Sequence, residues 1–383
     1  MHVVFLVSLA AACRPDMSDR RPVGSAGVES YLTALIRNSK TPGIQYVVVS
    51  SKDVLFEHAG GWADIRRCVP VDADTTMMAY SMSKTITAIA VLQLLEAGRV
   101  ALDESVKRYV DSFPYGPRVT VRQLISHTSG IPNPIPLRWV HPVADHERFD
   151  ENSALAAVLR DHPRLSFVPG TTYAYSNIGY WLLGKLVERA SGATFPSYVS
   201  QRILRPLAIG PQELGYIVAD PPHHATGYLE KYSIMNLARG FLIDQDLVGD
   251  YSGRWLEIRS HYLNGPAFGG LVGTARGFGK VLQDQLREQS VLLNGTTRQL
   301  LYAPQQTTQG APVAMTLGWH IRELDGVRFF FKEGGGGGFH CMMRVYPREG
   351  IGTVVMANAT GFDVPRLLDT IDPSFFRIGR SRP

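Results

Sequence analysis

The chain has 383 residues, enough for two or three domains at about 150 residues each. Apolar residues make up 45% and charged residues 19%, a globular composition that excludes a disordered or coiled-coil protein. Lys plus Arg is 39 against 34 Asp plus Glu, and the +5 excess falls in short pairs such as Arg20-Arg21 and Arg66-Arg67, so no basic stripe for nucleic acid exists. Only 8 of the 39 cations are Lys, which makes each Lys worth placing.

Residues 3–12 form an apolar run that ends at Cys13. A bilayer span needs about 20 apolar residues, so this run is too short to cross one. It reads either as the apolar part of an export signal or as a disordered leader or mis-assigned start. Ala10 to Cys13 resembles a degenerate lipoprotein processing site, with a lipid anchor at Cys13, although no Lys or Arg precedes the run. A periplasmic and a cytoplasmic location both stay open. The three cysteines, Cys13, Cys68 and Cys341, are too few for a disulfide framework. No C-x-x-C or H-E-x-x-H spacing points to zinc.

Residues 14–26 read as a linker. Val28, Leu32, Leu35 and Ile36 recur at helical spacing over 27–39, and Thr41-Pro42-Gly43 stops that helix. The runs 44–50 and 54–59 predict a β-hairpin. Residues 82–98 are apolar almost all round, the mark of a buried helix. From 107 to 267 the chain is richer in Pro and in helical segments, among them 174–191 and 197–204. A helix follows at 273–287, then strands at 316–323, 327–332, 339–346 and 351–357, then a helix at 363–371. This order predicts an α+β fold: an antiparallel β-sheet flanked by helices, with an inserted, mainly helical domain. The expected organisation is a leader or linker over 1–26, a discontinuous sheet domain over 27–106 and 268–383, and the helical domain over 107–267.

Three short constellations carry chemistry. Ser81-Met82-Ser83-Lys84 opens the buried helix, and residues three apart share a helix face. A serine is a poor nucleophile until a base takes its proton, and Lys serves as base only when neutral. At its free pKa of about 10.4, roughly one Lys in 2,500 is neutral at pH 7, so burial and a nearby positive charge must lower it. Chance alone supplies about 0.5 such Ser-x-x-Lys matches in this chain, so the position in the buried helix is what raises it. Tyr175-Ser176-Asn177 begins a second helix. Tyr175 can relay a proton, as a phenolate or hydrogen-bonded to Lys84, and the Asn177 amide can donate to a substrate carbonyl; a helix start with a packed Tyr and a capping Asn is the plain alternative. Lys332-Glu333-Gly334 runs into Gly335 to Gly338, where backbone N–H groups can meet an oxyanion, or where a hairpin simply turns.

The order of these motifs resembles the serine β-lactamase and penicillin-binding protein superfamily: class C-like β-lactamases, D-alanyl-D-alanine carboxypeptidases and family VIII carboxylesterases. Residues 124–130 (LISHTSG), 167–170, 204–207, 269–271 and 355–358 resemble the family outside the site, and the likeness covers roughly 27–372. The resemblance implies Ser81 as nucleophile, Lys84 as its base or base partner, Tyr175 sharing proton transfer, Asn177 and Lys332 at the substrate, and the N–H groups of Ser81 and Gly335 as oxyanion hole. It implies that Lys332 lowers the pKa of Lys84 and Tyr175 or meets a substrate carboxylate. It implies no metal and no cofactor, and a small-molecule ester or amide as substrate. The third motif is Lys-Glu-Gly, without the Thr hydroxyl that binds a substrate carboxylate in relatives. That departure favours small esters over β-lactams and D-amino-acid peptides, with a non-catalytic receptor as a remote alternative. Gly277 stands where many relatives have Asp, read as a lost cap. His127 is read as tying down the loop at 126–130 rather than as a triad base, since no G-x-S-x-G elbow exists. His340 flanks the glycine run, in the sheet or at the pocket.

Overall fold

The computed structural model describes residues 21–134 and 139–376. The apolar run at 3–12 and Cys13, with its suggested lipid anchor, lie outside the described residues. Seven antiparallel strands form the main sheet: β1 (Gly43–Val49), β2 (Val54–Asp64), β3 (Val69–Pro70), β4 (His320–Leu324), β5 (Val327–Gly336), β6 (Phe339–Tyr346) and β7 (Ile351–Ala357). Their order is β4-β5-β6-β7-β1-β2-β3, so strands from both ends of the chain meet where β1 pairs with β7, Ile44 opposite Ala357. The α+β fold expected from the sequence is the fold observed.

Helices cover both faces. Ile44, Tyr46 and Val48 of β1 pack with Val28, Leu32 and Leu35 of α1 (Gly24–Arg37) and with Leu367, Leu368 and Ile371 of a C-terminal helix, Val364–Ile371. Val47 and Val49 point the other way, towards Ile86, Ile89 and Val91 of α2 (Ser83–Glu96) and towards Phe278, Val281 and Leu282 of the helix Ala275–Leu286. Alternate side chains of one strand thus feed two cores, which is why β1 is a nearly unbroken apolar run. Its one polar member, Gln45, spends its amide on Asp72 O (2.7 Å), Thr75 O (2.8 Å) and the Ala275 N–H (2.9 Å). Residues 83–92 of α2 are all buried, as the all-round apolar pattern required.

The stretch 107–267 carries helices, the longest being α3 (Asn177–Ser191), but also an antiparallel three-stranded sheet of Gly227–Glu230, Trp255–Ile258 and Val248–Ser252. Those strands are only four or five residues long, too short for periodicity to separate from loop. The glycine run also differs from a simple turn: Gly334 to Gly336 continue β5, and the turn falls at Gly337-Gly338. The segment expected as helix at 197–204 starts as Phe195–Val199 and widens to a π-turn over Ser200–Leu204. Gly277 has a packing reason rather than a missing cap. A Cβ there would lie 2.5 Å from Glu213 O, and Thr274 already caps that helix by accepting from the Gly277 N–H at 3.0 Å. Among the described residues, no helix is long and apolar enough to cross a membrane.

Beneath the sheet, fully buried Asp372 accepts from Tyr46 Oη (2.8 Å), Tyr346 Oη (2.7 Å) and Thr353 Oγ1 (3.1 Å), with the Arg344 guanidinium 3.5 Å away. Removing Asp372 leaves three buried hydroxyls without their acceptor and takes one of the two carboxylates from Arg344, which keeps Asp369 at 2.8 Å. We expect Asp372→Ala to lower unfolding free energy by about 3 to 5 kcal/mol in urea titration, with an unchanged m-value.

Candidate active site

The nucleophile candidate sits where the chain turns from the sheet into α2. Ala79, Tyr80 and Ser81 enter a single 3-10 turn, Tyr80–Met82, and α2 begins at Ser83. Tyr80 has φ +44°, in the left-handed region that favours glycine, at a cost of order 1 to 3 kcal/mol. The turn presents Ser81 Oγ 2.9 Å from Lys84 Nζ, one turn along the same helix face.

Lys84 is fully buried. Its Nζ also lies 2.7 Å from Asn177 Oδ1 and 2.6 Å from Phe268 O. A neutral amine has two N–H donors and one lone pair. With both donors spent on these two oxygens, the lone pair is left for the Ser81 hydroxyl. Burial, then the positive Lys332, hold the Lys84 amine well below its ordinary pKa. The condition for a lysine base is therefore met by desolvation first and by charge second.

Tyr175 Oη donates to Ser81 Oγ at 2.6 Å, so a tyrosine, a serine and a lysine form one hydrogen-bonded row. Burial pushes the Tyr175 phenol above its usual pKa, opposed by its bond to Ser81. The phenol is thus held protonated and bonds to Ser81, not as a phenolate or to Lys84. Lys332 Nζ lies 5.1 Å from the Tyr175 ring centre and Lys84 Nζ 4.9 Å from it. Lys332 is also fully buried, and burial brings its amine down to about 7 against the opposing pull of Glu333.

Asn177 heads α3, where Ser176 caps the helix by accepting from the Gly179 N–H at 3.0 Å. Its Nδ2 donates to Asn133 Oδ1 (3.1 Å), and Oδ1 accepts from Lys84. The amide therefore orients the amine and keeps one N–H in reserve. Asn133 and the Phe268 carbonyl were not singled out from the sequence. A main-chain oxygen leaves no residue signature, and Asn133 sits in a Pro-rich loop that reads only as a turn.

His127 adopts φ +58°. Its Nδ1 accepts from the Ser176 N–H (3.1 Å), its carbonyl accepts from the Ala174 N–H (2.9 Å), and its ring packs against Tyr175 with centroids 4.3 Å apart and planes tilted by 35°. Burial, then Lys332 and Lys84, keep it well below the usual histidine pKa. It ties the 126–130 loop to the segment that carries Tyr175 and makes no hydrogen bond to Ser81.

On β5 the alternation of faces is explicit. A Cβ on Gly334 would stand 2.2 Å from Ala79 O and 3.0 Å from the Ser81 nitrogen. The Cys341 thiol on β6 lies 3.1 Å from Ala79 O and 3.2 Å from Gly334 O, and burial pushes it well above its usual pKa. Lys332 faces the same side as Gly334. Glu333 and Gly335 face the other side, where Glu333 Oε1 meets His340 Nε2 at 2.7 Å and His340 Nδ1 meets Phe362 O at 2.5 Å. His340 is thus a buried sheet residue. Gly335 follows Gly334 along the strand beside the nucleophile turn, and its N–H is the second candidate oxyanion donor. The described residues bring Ser81, Lys84, Tyr175, Asn177, Lys332 and Gly335 into one locus.

This sheet with its buried Ser-x-x-Lys helix defines a class, and comparison with known proteins names it. A family model described as Beta-lactamase matches residues 28–372, and the chain belongs to that family. It is 25% identical over 301 residues to penicillin-binding protein 4* of Bacillus subtilis (strain 168), covering 77% of this chain and 63% of that one. It is 27% identical over 336 residues to a D-aminopeptidase of Brucella canis, covering 87% of this chain and 60% of that one. The chain thus spans about three fifths of the length of these curated relatives. The D-amino acid amidase from Ochrobactrum anthropi SV3 superposes with a TM-score of 0.76 at 19% identity, covering 92% of this chain and 99% of that one.

Lys332 generates a prediction in both stability and activity. Its folded pKa of about 7 lies below the free value, so between pH 7 and about 10.5 the unfolded chain binds more protons and stability rises with pH. Lys332→Met is expected to raise Tm most at pH 6 to 7 and least near pH 10. Removing the positive charge also raises the Lys84 pKa, so the acidic limb of kcat/KM is expected to move to higher pH. Thermal melts and a pH-rate profile of the variant check both.

Proposed function

We propose that the protein is a serine hydrolase that works through an acyl-enzyme and cleaves small carboxylic esters most readily. The observation that carries this is the row Tyr175 Oη, Ser81 Oγ, Lys84 Nζ at 2.6 and 2.9 Å, ending on a desolvated amine. In this reading Ser81 Oγ attacks the substrate carbonyl carbon while its proton passes to Lys84 Nζ. The carbonyl electron pair moves to oxygen and is met by the N–H groups of Ser81 and Gly335. The intermediate collapses as the carbon–leaving-group bond breaks, and the leaving alkoxide takes the Tyr175 proton, which leaves Lys84 as the ammonium and Tyr175 transiently as the phenolate. Water then attacks the acyl-serine by the same route in reverse, releasing the acid and restoring Ser81.

Glu333 supports esters over carboxylate-bearing substrates. It replaces a hydroxyl by a carboxylate next to Lys332, and its charge is felt at both Lys332 and Tyr175. Its carboxylate, held on the opposite strand face 2.7 Å from His340 Nε2, offers no hydroxyl to a substrate carboxylate and adds negative charge at longer range. A second reading, cleavage of D-amino-acid amides or peptides, is favoured by the names of the D-aminopeptidase relative and the amidase neighbour. A binding protein that acylates without turnover is the remaining reading.

The test pairs a p-nitrophenyl ester with a chromogenic cephalosporin and a D-amino acid p-nitroanilide, using wild type and Ser81→Ala, with intact-protein mass spectrometry. We expect the ester to be fastest and Ser81→Ala to lose about 1,000-fold or more. Turnover that survives in Ser81→Ala defeats the mechanism, and a stable adduct without turnover supports the binding protein. Glu333→Gln is expected to raise the cephalosporin rate relative to the ester by about 3- to 10-fold. An unchanged ratio removes Glu333 from the selectivity.

A further inference from the structure

Tyr80, immediately before the nucleophile, is an aromatic residue in a conformation glycine would take freely. Such a residue persists only where its surroundings over-determine it. Its ring fills the notch above Gly336, where a Cβ would stand 2.3 Å from Tyr80 Cε1 and 2.5 Å from Cζ. Its hydroxyl donates to Gly337 O at 3.0 Å and lies 3.1 Å from His261 Nε2. His261 is buried and anchored in turn, with Nδ1 2.9 Å from Arg259 O. Ser81 Oγ already has Lys84 and Tyr175 as partners, so Tyr80 acts on the backbone rather than on the hydroxyl.

We propose that Tyr80 is a positioning residue whose hydroxyl staples the nucleophile turn to the glycine strand and fixes the spacing of the Ser81 and Gly335 N–H groups. This rests on the acyl-enzyme reading and deepens it. An oxyanion hole works because its donors are in place before the charge develops. Here the two donors belong to segments far apart in sequence, and Gly334 has no side chain with which to hold the turn. The Tyr80 ring and hydroxyl bridge the two segments directly. They work alongside the Cys341 thiol, which lies between Ala79 O and Gly334 O.

Two variants separate this role from packing and from backbone strain. Tyr80→Phe keeps the ring in the notch and removes only the hydroxyl. Tyr80→Gly accepts the left-handed conformation but removes both contacts. We expect Tyr80→Phe to lower kcat about tenfold with KM within about twofold, short of the ~100-fold cost of a 1 Å misplacement. Tyr80→Gly is expected to lose at least as much. Circular dichroism and Tm report that each variant is folded. Labelling by a fluorophosphonate, whose phosphonyl oxygen enters the same hole, is measured in parallel and is expected to slow by the same factor as kcat. If wild type labels at Ser81 but turns over no ester, the ester reading fails while the labelling rates still report on Tyr80. A wild type that is not labelled at Ser81 defeats both. Tyr80→Phe with wild-type kcat and labelling rate, a change confined to KM, or full activity in Tyr80→Gly overturns the positioning role.

Discussion

Lys84 is an amine taken out of water with a hydroxyl and two carbonyl oxygens for company. Such a group carries charge only at high cost, and a second buried amine, Lys332, raises that cost further. The rest of the site is organised around keeping this amine dry and aimed. The helix that carries it must be apolar on every side, and α2 is buried from Ser83 through Leu92. One acceptor must come from a side chain fixed at a helix start, and Asn177 is held there by Asn133 and by the Ser176 cap. The other is a main-chain carbonyl at Phe268, set by the one-turn helix Pro266–Gly269 that packs against α2.

These arrangements oppose stability. Two amines are desolvated, Tyr80 and His127 sit in left-handed backbone, and His127 is held neutral by its surroundings. A scaffold tolerates such a site only with surplus elsewhere. The surplus here is a central strand buried on both faces, whose alternate residues enter two cores, and a fully satisfied Gln45 that pins the 72–75 loop and the helix at Ala275. The sheet also holds the candidate oxyanion strand rigid, because β5 is paired residue by residue with β6 up to Gly336.

Much of this was legible in the sequence where the physics is local and periodic. The apolar run of β1, the all-round apolar α2 and the helix starting near Tyr175 each follow from side-chain spacing. Ser81 and Lys84 were legible because three residues apart on a helix is a contact. What was not legible depends on atoms or approaches without a residue signature. The Phe268 carbonyl is one, and the close pass of Gly334 over Ala79 O is another. The Tyr175 protonation state could not be inferred because burial, which raises it, is a property of the folded chain. Gly277 shows the converse: its difference from relatives read as a lost cap, yet the backbone of Glu213 occupies the space a side chain would need. The short strands around Trp255 were hidden because four residues do not define a period.

The pairing of β1 with β7 also bears on how the chain acquires its shape. Ile44 waits for Ala357, and Val48 for Thr353, so the middle of the sheet is closed by residues that leave the ribosome long after the hairpin they complete. Until then the hairpin of β1 and β2 carries an apolar strand with one edge of backbone donors and acceptors unpaired, a template for joining other chains. Contacts this distant in sequence make folding slow, because loop closure precedes the reward. Lys332 and Gly335 arrive in that same late segment. A growing chain therefore holds Ser81 and Lys84 throughout the interval before Lys332 and Gly335 emerge. The candidate site is completed only when the sheet closes, and until then the emerging hairpin is what a chaperone would have to shield.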